Sequence, residues 1–500
     1  MVMNPPSAGA RMGTPAGRWV LLATISGSGM ALLDATVVNI ALPSIAGDLG
    51  TDFRTLQWIV NAYTLTLAAL ILLAGALGDH FGRRRIFLLG VVWFAIASLL
   101  CGLAPTAEFL VAARALQGIG GALLTPGSLA IIASTFAATD RAKAVGAWSG
   151  LGGLAAALGP FAGGSLVALD WRAVFLVNLP IAVFIVVVSL RHVPESLDIE
   201  SPPGLDVAGA VLAATGLAGV TYALTSLGEG GGGVVAIGVV GVAALVAFVL
   251  VERRSPHPLV PLGLFIDRSF SVANAVTLLV YAGLGVFFFL LVLQLQIVAG
   301  FSPLVAGTAM LPVTVLMLLL SSRAGALAER IGPRLPMTVG PLLAALGFLL
   351  TLRIGTDASY LTDVLPAVVV LGLGLSLTVA PLTATVLNSA DPRYAGTASG
   401  VNNAIARSGG LLAVAVIPVA AGLGGADYTD PLSFDPGFRT AMLISAALLA
   451  LGALMAVTLL REPRPVRIPG LPERLPVERC SHCGVTGPQL HPARGLLNNR

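Results

Sequence analysis

Long runs of apolar residues, separated by short polar stretches, follow one another along almost the whole chain. A helix that crosses a bilayer needs about 20 predominantly apolar residues. The alternation therefore predicts an all-α membrane protein with fourteen transmembrane helices and short connections. The predicted spans are residues 19–45, 56–77, 86–104, 108–134, 144–168, 173–190, 206–227, 233–251, 271–298, 304–324, 336–353, 361–388, 397–421 and 438–460.

A charged, glycine-rich turn lies between the second and third spans, and a weaker copy lies between the tenth and eleventh. The first is Gly-Ala-Leu-Gly-Asp-His-Phe-Gly-Arg-Arg-Arg at residues 75–85, and the second is Gly-Ala-Leu-Ala-Glu-Arg-Ile-Gly-Pro-Arg at residues 325–334. The repeat predicts two equivalent six-helix bundles with spans 7 and 8 inserted between them. The predicted segments are a cytoplasmic N-terminus (1–18), an N-terminal bundle (19–190), a central helix pair (206–251), a C-terminal bundle (269–460) and a cytoplasmic, mostly disordered tail (461–500).

Composition supports a membrane protein and excludes several other classes. The chain is 56% hydrophobic and only 10% charged, whereas a soluble protein is about 25% charged. Its first apolar run lacks a convincing cleavage site, so we expect that run to be retained as a span. It carries no dinucleotide or P-loop motif. We therefore expect no direct use of ATP. The predicted spans contain no nucleophile–base pair or metal cluster, and the chain has only five histidines, so we also expect no enzymatic activity. We expect no cofactor and no nucleic-acid partner.

The placement of basic residues predicts the orientation of the chain. Cytoplasmic loops of membrane proteins are enriched in lysine and arginine. If both termini are cytoplasmic, 22 of the 28 lysines and arginines fall on the cytoplasmic side. The asymmetry favours an even number of spans.

Two charged residues are predicted to lie deep in the outer half of the N-terminal bundle. Asp34 lies about 16 Å from the outer end of span 1, and Arg114 about 9 Å from that of span 4, at 1.5 Å per residue. Charges inside a membrane are costly and usually functional. We expect contact between the two and a role for Asp34 in binding a proton or a cation. The alternative is a structural, hydrogen-bonded pair of residues.

Several motifs, in order along residues 18–460, make the chain similar to the major facilitator superfamily, and especially to its fourteen-span drug:proton antiporter branch. They are Leu33–Pro43 in span 1, Trp58 and Tyr63 in span 2, the turn at 75–85, Arg114–Gly120 in span 4, Gly146–Gly164 in span 5, Trp171–Pro180 and Gly300–Gly307. The resemblance implies a role for Arg114 in proton transfer. Ala155 replaces a glycine usual in the span 5 motif, and span 10 lacks the acidic residue of some exporters of dicationic drugs.

The glycine-rich turn is interpreted as a gate rather than a substrate site. Its glycines permit a tight turn, and Asp79 can lie against the positive end of a helix in the other bundle. We expect Arg83 or Arg85 to pair with an acidic residue such as Asp140, in contacts that break when the inside opens. A purely topological role for the positive charges is the alternative. The predicted gating residues are Gly75, Asp79, Gly82, Arg83, Arg85 and Asp140.

Span 5 carries the stretch that the resemblance links to antiporters. A proline removes a backbone hydrogen bond, and glycines let a facing helix approach closely. Ordinary close packing is a compatible interpretation. The residues of this predicted antiporter motif are Gly146, Gly159, Pro160, Gly163 and Gly164.

Polar residues inside other spans are candidates for the wall of a substrate cavity. Each could instead form a hydrogen bond between helices. The candidates are Asn39, Asn61, Tyr63, Gln117, Asn178, Gln294, Asn403 and Arg407. In the tail, Cys480, His482, Cys483 and His491 could form a zinc site, but a single CxxC pair is a weak signal and we predict no metal.

Together these observations predict a proton-driven exporter of lipophilic drugs, antibiotics or related small molecules in a bacterial inner membrane. Its partners would be a small-molecule substrate, protons and the lipid bilayer. A second hypothesis is an exporter or importer of a specific metabolite or siderophore, because a fold does not fix the substrate.

Overall fold

The structure, a computed structural model, describes residues 11–137, 140, 143–144, 147–148, 159, 161–197, 206–226, 232–256, 258–390, 395–423 and 430–460. Within these residues the regular elements are helices, and thirteen of the helices are long and apolar enough to cross a membrane. The remaining predicted span, 144–168, lies mostly outside the described residues, although residues 161–167 are helical. The predicted tail also lies outside them.

The helices follow the predicted spans closely. They are α1 (Pro15–Leu49), α2 (Phe53–Phe81), α3 (Arg83–Gly102), α4 (Ala107–Thr135), α5 (Ala173–Leu176), α6 (Asn178–His192), α7 (Val207–Thr225), α8 (Gly232–Glu252), α9 (Arg268–Leu293), α10 (Pro303–Thr308), α11 (Leu311–Ile331), α12 (Pro336–Leu350), α13 (Leu365–Asn388), α14 (Ala395–Ala420) and α15 (Pro431–Leu459). Short 3-10 helices occupy Leu262–Ile266 and Thr351–Arg353, and π-helical turns occupy Gln294–Val298 and Tyr360–Val364.

Polar residues at the helix starts explain why several helices extend beyond their apolar runs. A side-chain oxygen at the N-cap satisfies a backbone N–H that has no partner within the helix. α15, for example, begins seven residues before the predicted span, because Asp430 accepts a hydrogen bond from the backbone of Leu432. The N-cap residues that act in this way are Thr14, Asp52, Thr106, Asp206, Asp267, Ser302 and Asp430.

Glycines allow the closest approaches between helices. A Cβ atom at Gly118 of α4 would overlap Thr66 and the backbone of Tyr63 on α2. In the later helices, a Cβ atom at Gly374 of α13 would overlap the backbone of Ala344 on α12. Small residues let transmembrane helices gain van der Waals contact that the lipid does not supply. The high glycine content of the chain is therefore used in packing.

Most helix contacts lie within two groups, α1–α6 and α9–α15. The helices α7 and α8 pack on each other, and α7 also contacts α2 and α14. There Arg54 donates a hydrogen bond to Ser226 (2.6 Å), and the Trp58 and Tyr222 rings lie 6.3 Å apart. Most of α8 is not buried by protein, as expected for a helix that faces lipid.

Two ends of the bundle are distinguished by their turns. We call the end at the α2–α3 turn, which carries Gly82 and three arginines, the basic end. The opposite end, at the α1–α2 turn around Gly50, is the far end. Gly82 (φ 111°) and Gly332 (φ 85°), the matching glycines of the repeated motif, both have a positive φ. Such a φ strains most other residues, which explains why glycine occupies both turns.

Candidate functional site

A fully buried carboxylate on α1 is surrounded by hydrogen-bond donors from two other helices. Asp34 accepts bonds from Arg114 (2.6 Å) and Gln117 (2.8 Å) on α4. Asn178, the first residue of α6, donates to the same carboxylate (3.1 Å). Ser98 on α3 accepts bonds from Gln117 and Asn178 (2.8 and 3.2 Å). These five residues form what we call the Asp34 cluster.

The guanidinium of Arg114 is also almost completely buried. Besides Asp34, it donates to the carbonyl of Ile59 (3.1 Å) and to the side chain of Gln117 (2.6 Å). Its Cζ lies 4.4 Å from the centre of the Tyr63 ring, which allows a cation–π contact. The buried ion pair therefore has several additional partners, which it needs to offset the cost of desolvation.

Burial and bonding make the cluster sensitive to the loss of any one of its members. Asp34 is 0% exposed and Arg114 is 1% exposed. The three polar groups around the carboxylate all donate hydrogen bonds to it, and Arg114 also balances its charge. Removal of a donor would leave a buried polar or charged group without its partner, which is costly.

A large cavity lies between the two groups of helices. Its volume is about 690 Å³, within the range of ligand pockets. Its wall is mostly apolar, with Leu284, Phe288, Phe289, Met310 and Met317 among its members. The polar residues in the wall are Thr36, Asn39, Asn61, Thr64, Tyr281, Thr314, Ser321, Ser322 and Arg407.

Contacts between the two groups close the cavity toward the far end. Gln57 on α2 donates to the carbonyl of Val414 on α14 (2.8 Å). Gln296 donates to the carbonyl of Ile40 on α1 (3.0 Å), and the ring of Phe53 lies 5.6 Å from that of Phe289. In the other direction the wall continues to Ser322, which is exposed. The cavity thus extends toward the basic end.

The glycine-rich turn at the basic end binds a segment that follows α6. Glu195 accepts a hydrogen bond from the backbone of Arg84 (3.0 Å) and lies 3.7 Å from the side chains of Arg84 and Arg85. A Cβ atom at Gly82 would lie 2.8 Å from the Glu195 carboxylate. Asp79 pairs with Arg83 one helical turn away (2.7 Å). The turn is therefore tied to its own group of helices.

The predicted pairing of the turn with Asp140 is not formed among the described side chains of this structure, in which the cavity extends toward the basic end. Asp140 accepts a hydrogen bond from the backbone of Met12 (3.1 Å). The acidic residue at the turn is Glu195, because the chain after α6 returns to the α2–α3 turn. The pairing with Asp140 was predicted for the state in which the inside is closed, and it stays a prediction. Gly75 faces Pro126 of α4 at ordinary contact distance.

The described part of the antiporter stretch packs tightly on its neighbours. A Cβ atom at Gly159 would overlap Thr36, and one at Gly163 would lie 3.1 Å from Val37, both on α1. One at Gly164 would lie 2.6 Å from the Cα of Leu304 on α10. Gly146 and Pro160 lie outside the described residues.

Three of the eight predicted cavity residues line the cavity: Asn39, Asn61 and Arg407. The other five lie elsewhere, because position along a helix does not say which neighbour a side chain faces. Gln117 and Asn178 bond to Asp34, and Tyr63 packs over Arg114. Gln294 donates to Ile354 and Asp435 (2.8 and 2.7 Å), and Asn403 is exposed and donates to Ser399.

Sequence reasoning missed Ser98 and Glu195. Ser98 lies in a long apolar helix, where a single serine gives little signal. Glu195 lies in a polar linker, and only its acidic charge near a basic turn could have pointed to it. Among the described residues, no group of three or more histidines, cysteines or acidic residues could hold a metal ion. The Cys480–Cys483 pair lies outside them.

Comparison with known proteins agrees with this architecture. The family model of the Major Facilitator Superfamily matches residues 24–414. A puromycin resistance protein of Streptomyces alboniger is 37% identical, covering 88% of this chain and 91% of its own. A probable actinorhodin transporter of Streptomyces coelicolor is 38% identical (83% and 74% covered), and a multidrug efflux pump of Mycolicibacterium smegmatis is 35% identical (81% of each covered).

A solved structure with the same fold is that of a bacterial homologue of the human lysosomal transporter Spinster. It superimposes with a TM-score of 0.64 at 17% identity, covering 89% of this chain and 97% of its own. At that identity the match concerns the fold alone. The fold, the long family match and the relatives above 30% identity together show that this chain is a multi-pass membrane transporter, not an enzyme, and belongs to the major facilitator superfamily.

Proposed function

We propose that this protein is a proton-coupled antiporter of a bacterial inner membrane that exports drugs, antibiotics or related lipophilic small molecules. The observation that carries the proposal is the Asp34 cluster, a buried carboxylate–arginine pair next to a large apolar cavity. Ionisable groups within a membrane commonly mark proton relays. The functions of the relatives, resistance to puromycin and efflux of multiple drugs, support export as the direction of transport.

In this proposal Asp34 binds the driving proton and Arg114 responds to it. With Asp34 charged, the pair is bonded as described above. When Asp34 takes up a proton, Arg114 loses its counter-ion and must find other partners, which favours a different arrangement of α1 and α4. Arg114 itself keeps its proton, because a guanidinium does not lose it under physiological conditions.

The basic end would face the cytoplasm, with both termini on that side. The support is the enrichment of arginine there, which the positive-inside rule associates with the cytoplasm. The cavity, closed toward the far end, would then be reached from the cytoplasm. The N-terminal bundle (19–190) and the C-terminal bundle (269–460) would rock about it to release substrate outside, with the central pair (206–251) as an insertion.

The α2–α3 turn would act as part of the gate at the cytoplasmic end. The glycines of span 5 would form a surface without side chains, against which α1 packs closely and moves. These glycines are Gly159, Gly163 and Gly164. Support for the first role comes from the joint placement of Gly82, Arg84 and Glu195, which links two separate segments at the basic end. Support for the second comes from the contacts of Gly159 and Gly163 with α1.

Replacing Gly82 by alanine should slow export at least severalfold, because the new methyl group would meet Glu195 at a φ that alanine rarely adopts. The matched control is Gly78→Ala, where the space is open and alanine favours the helix. The measurement is the initial export rate divided by the amount of protein in the membrane. Equal rates for the two variants would contradict a gating role for Gly82.

The proposed function is tested by efflux from cells that lack their own drug pumps. Cells that express the protein are loaded with puromycin, ethidium or the neutral dye N-phenyl-1-naphthylamine, and are then energised with glucose. We expect faster loss of at least one compound than in cells with an empty vector, and complete inhibition by a protonophore. Efflux that persists with the protonophore, absence of efflux for the whole panel, or energised accumulation inside would contradict the proposal, the last in favour of an importer.

A further inference from the structure

The cavity wall, as far as the structure describes it, contains a single charged residue. Arg407 on α14 lies in the wall, and no aspartate or glutamate lies there among the described residues. Asp34 is not part of the wall, because its side chain points away from the cavity into its own cluster. A ligand in the cavity therefore meets a positive charge and apolar surface.

The described part of the chain offers no counter-ion to the guanidinium of Arg407. The guanidinium makes no hydrogen bond or ion pair with any residue that the structure describes, and its nitrogen atoms are not sealed inside protein. The side chain is half-buried. An unpaired charge at membrane depth is costly, and such residues are usually paired. Arg407 thus has unused capacity to bind a negatively charged group.

Two amide side chains add directional polar groups to the same wall. Asn61 is 1% exposed, and both its amide nitrogen and its amide oxygen are buried without a hydrogen-bond partner among the described residues. The same holds for the amide oxygen of Asn39. A buried polar group without a partner costs free energy, which a bound ligand can recover. Both residues face the cavity that Arg407 also lines.

We propose that the preferred substrates are amphipathic organic anions: molecules with an apolar, aromatic body and one carboxylate, sulfonate or acidic phenol. The anionic group would bind Arg407, polar groups of the body would bond to Asn61 and Asn39, and the body would pack on residues such as Phe288 and Met317. This inference rests on the proposed export function and specifies its substrate class. Cations would be disfavoured, because no carboxylate in the described wall offsets their charge or that of Arg407.

The test compares two dyes that share one ring system and includes ethidium as a cationic compound. 8-Anilinonaphthalene-1-sulfonate carries a sulfonate, and N-phenyl-1-naphthylamine lacks it. Everted vesicles that contain the wild type, Arg407→Gln, Arg407→Lys or the control Arg353→Gln are energised, and the uptake rate of each dye is divided by the amount of protein. Arg353 is an exposed arginine with a weak ion pair, and its loss should leave both rates unchanged.

We expect the wild type to transport the anionic dye, and Arg407→Gln to lower that rate at least about tenfold while changing the neutral dye less than about twofold. Arg407→Lys should retain most of the rate, which shows that the charge rather than folding is responsible. Equal loss of both dyes in Arg407→Gln would overturn the inference. So would wild-type transport of ethidium or the neutral dye but not the anion, with the export function intact. Wild-type transport of none of the compounds would overturn the export function as well.

Discussion

Replacing Asp34 by asparagine is expected to abolish export against a concentration gradient. Asparagine has nearly the same size as aspartate but cannot be ionised, so the proposed proton no longer has a binding site. A proton that moves inward across 100 mV supplies about 2.3 kcal/mol, which sustains a roughly 50-fold gradient of an uncharged substrate at one proton per molecule. In the variant this ratio should fall toward one.

The informative measurement compares two modes of transport in proteoliposomes that contain the purified protein. Uphill transport driven by an imposed proton gradient should be lost, whereas exchange of labelled for unlabelled substrate needs no net proton movement and should continue. The matched control is Asp48→Asn, which removes an exposed carboxylate from the same helix. Uphill transport by Asp34→Asn at more than about half the wild-type ratio would exclude Asp34 as the coupling residue.

Replacing Arg114 by glutamine is expected to give the largest loss of stability. The carboxylate of Asp34 would stay buried without its cation, and breaking a buried ion pair in this way typically costs about 3–5 kcal/mol. The matched control is Arg172→Gln. Arg172 forms an ion pair (2.8 Å) with Asp48, which lies on α1 like Asp34, but both members of this pair are partly exposed. An exposed pair contributes only about 0–1 kcal/mol.

Thermal unfolding of the purified variants in detergent measures this difference. Arg114→Gln should unfold at a clearly lower temperature than Arg172→Gln. The double variant Asp34→Asn/Arg114→Gln should be more stable than Arg114→Gln alone, because both charges are then absent, but it should remain inactive in uphill transport. If the double variant were as unstable as the sum of the single changes, the pair would not act as a unit.

The spans were predictable because each is a long apolar run, and the structure places its thirteen candidate spans close to the predicted limits. The fold class followed from the same pattern. The ends of the helices were harder to predict. The start of α15, for example, depends on the N-cap at Asp430 and not on hydrophobicity. The contact between Asp34 and Arg114 was also predictable, because the two residues share a depth in the membrane.

The rest of the site depends on which way each side chain faces. Gln117 follows Arg114 by three residues and so lies on the same helix face, a relation that could have assigned it to the cluster. Asn178 and Ser98 reach Asp34 only because of how separate helices pack. Glu195 reaches the basic turn for the same reason, and no spacing in the sequence encodes that return of the chain.

The helix α1 carries Asp34, the proposed proton-binding residue, and part of the cavity wall on different faces. At about 100° per residue, the wall residues Thr36 and Asn39 are rotated roughly 200° and 140° from Asp34. A proton and a substrate molecule therefore do not compete for the same atoms. A change of pH would then alter the maximal velocity of export more than the Michaelis constant. The reason is that the proton and the substrate would affect each other only through movement of the helix α1.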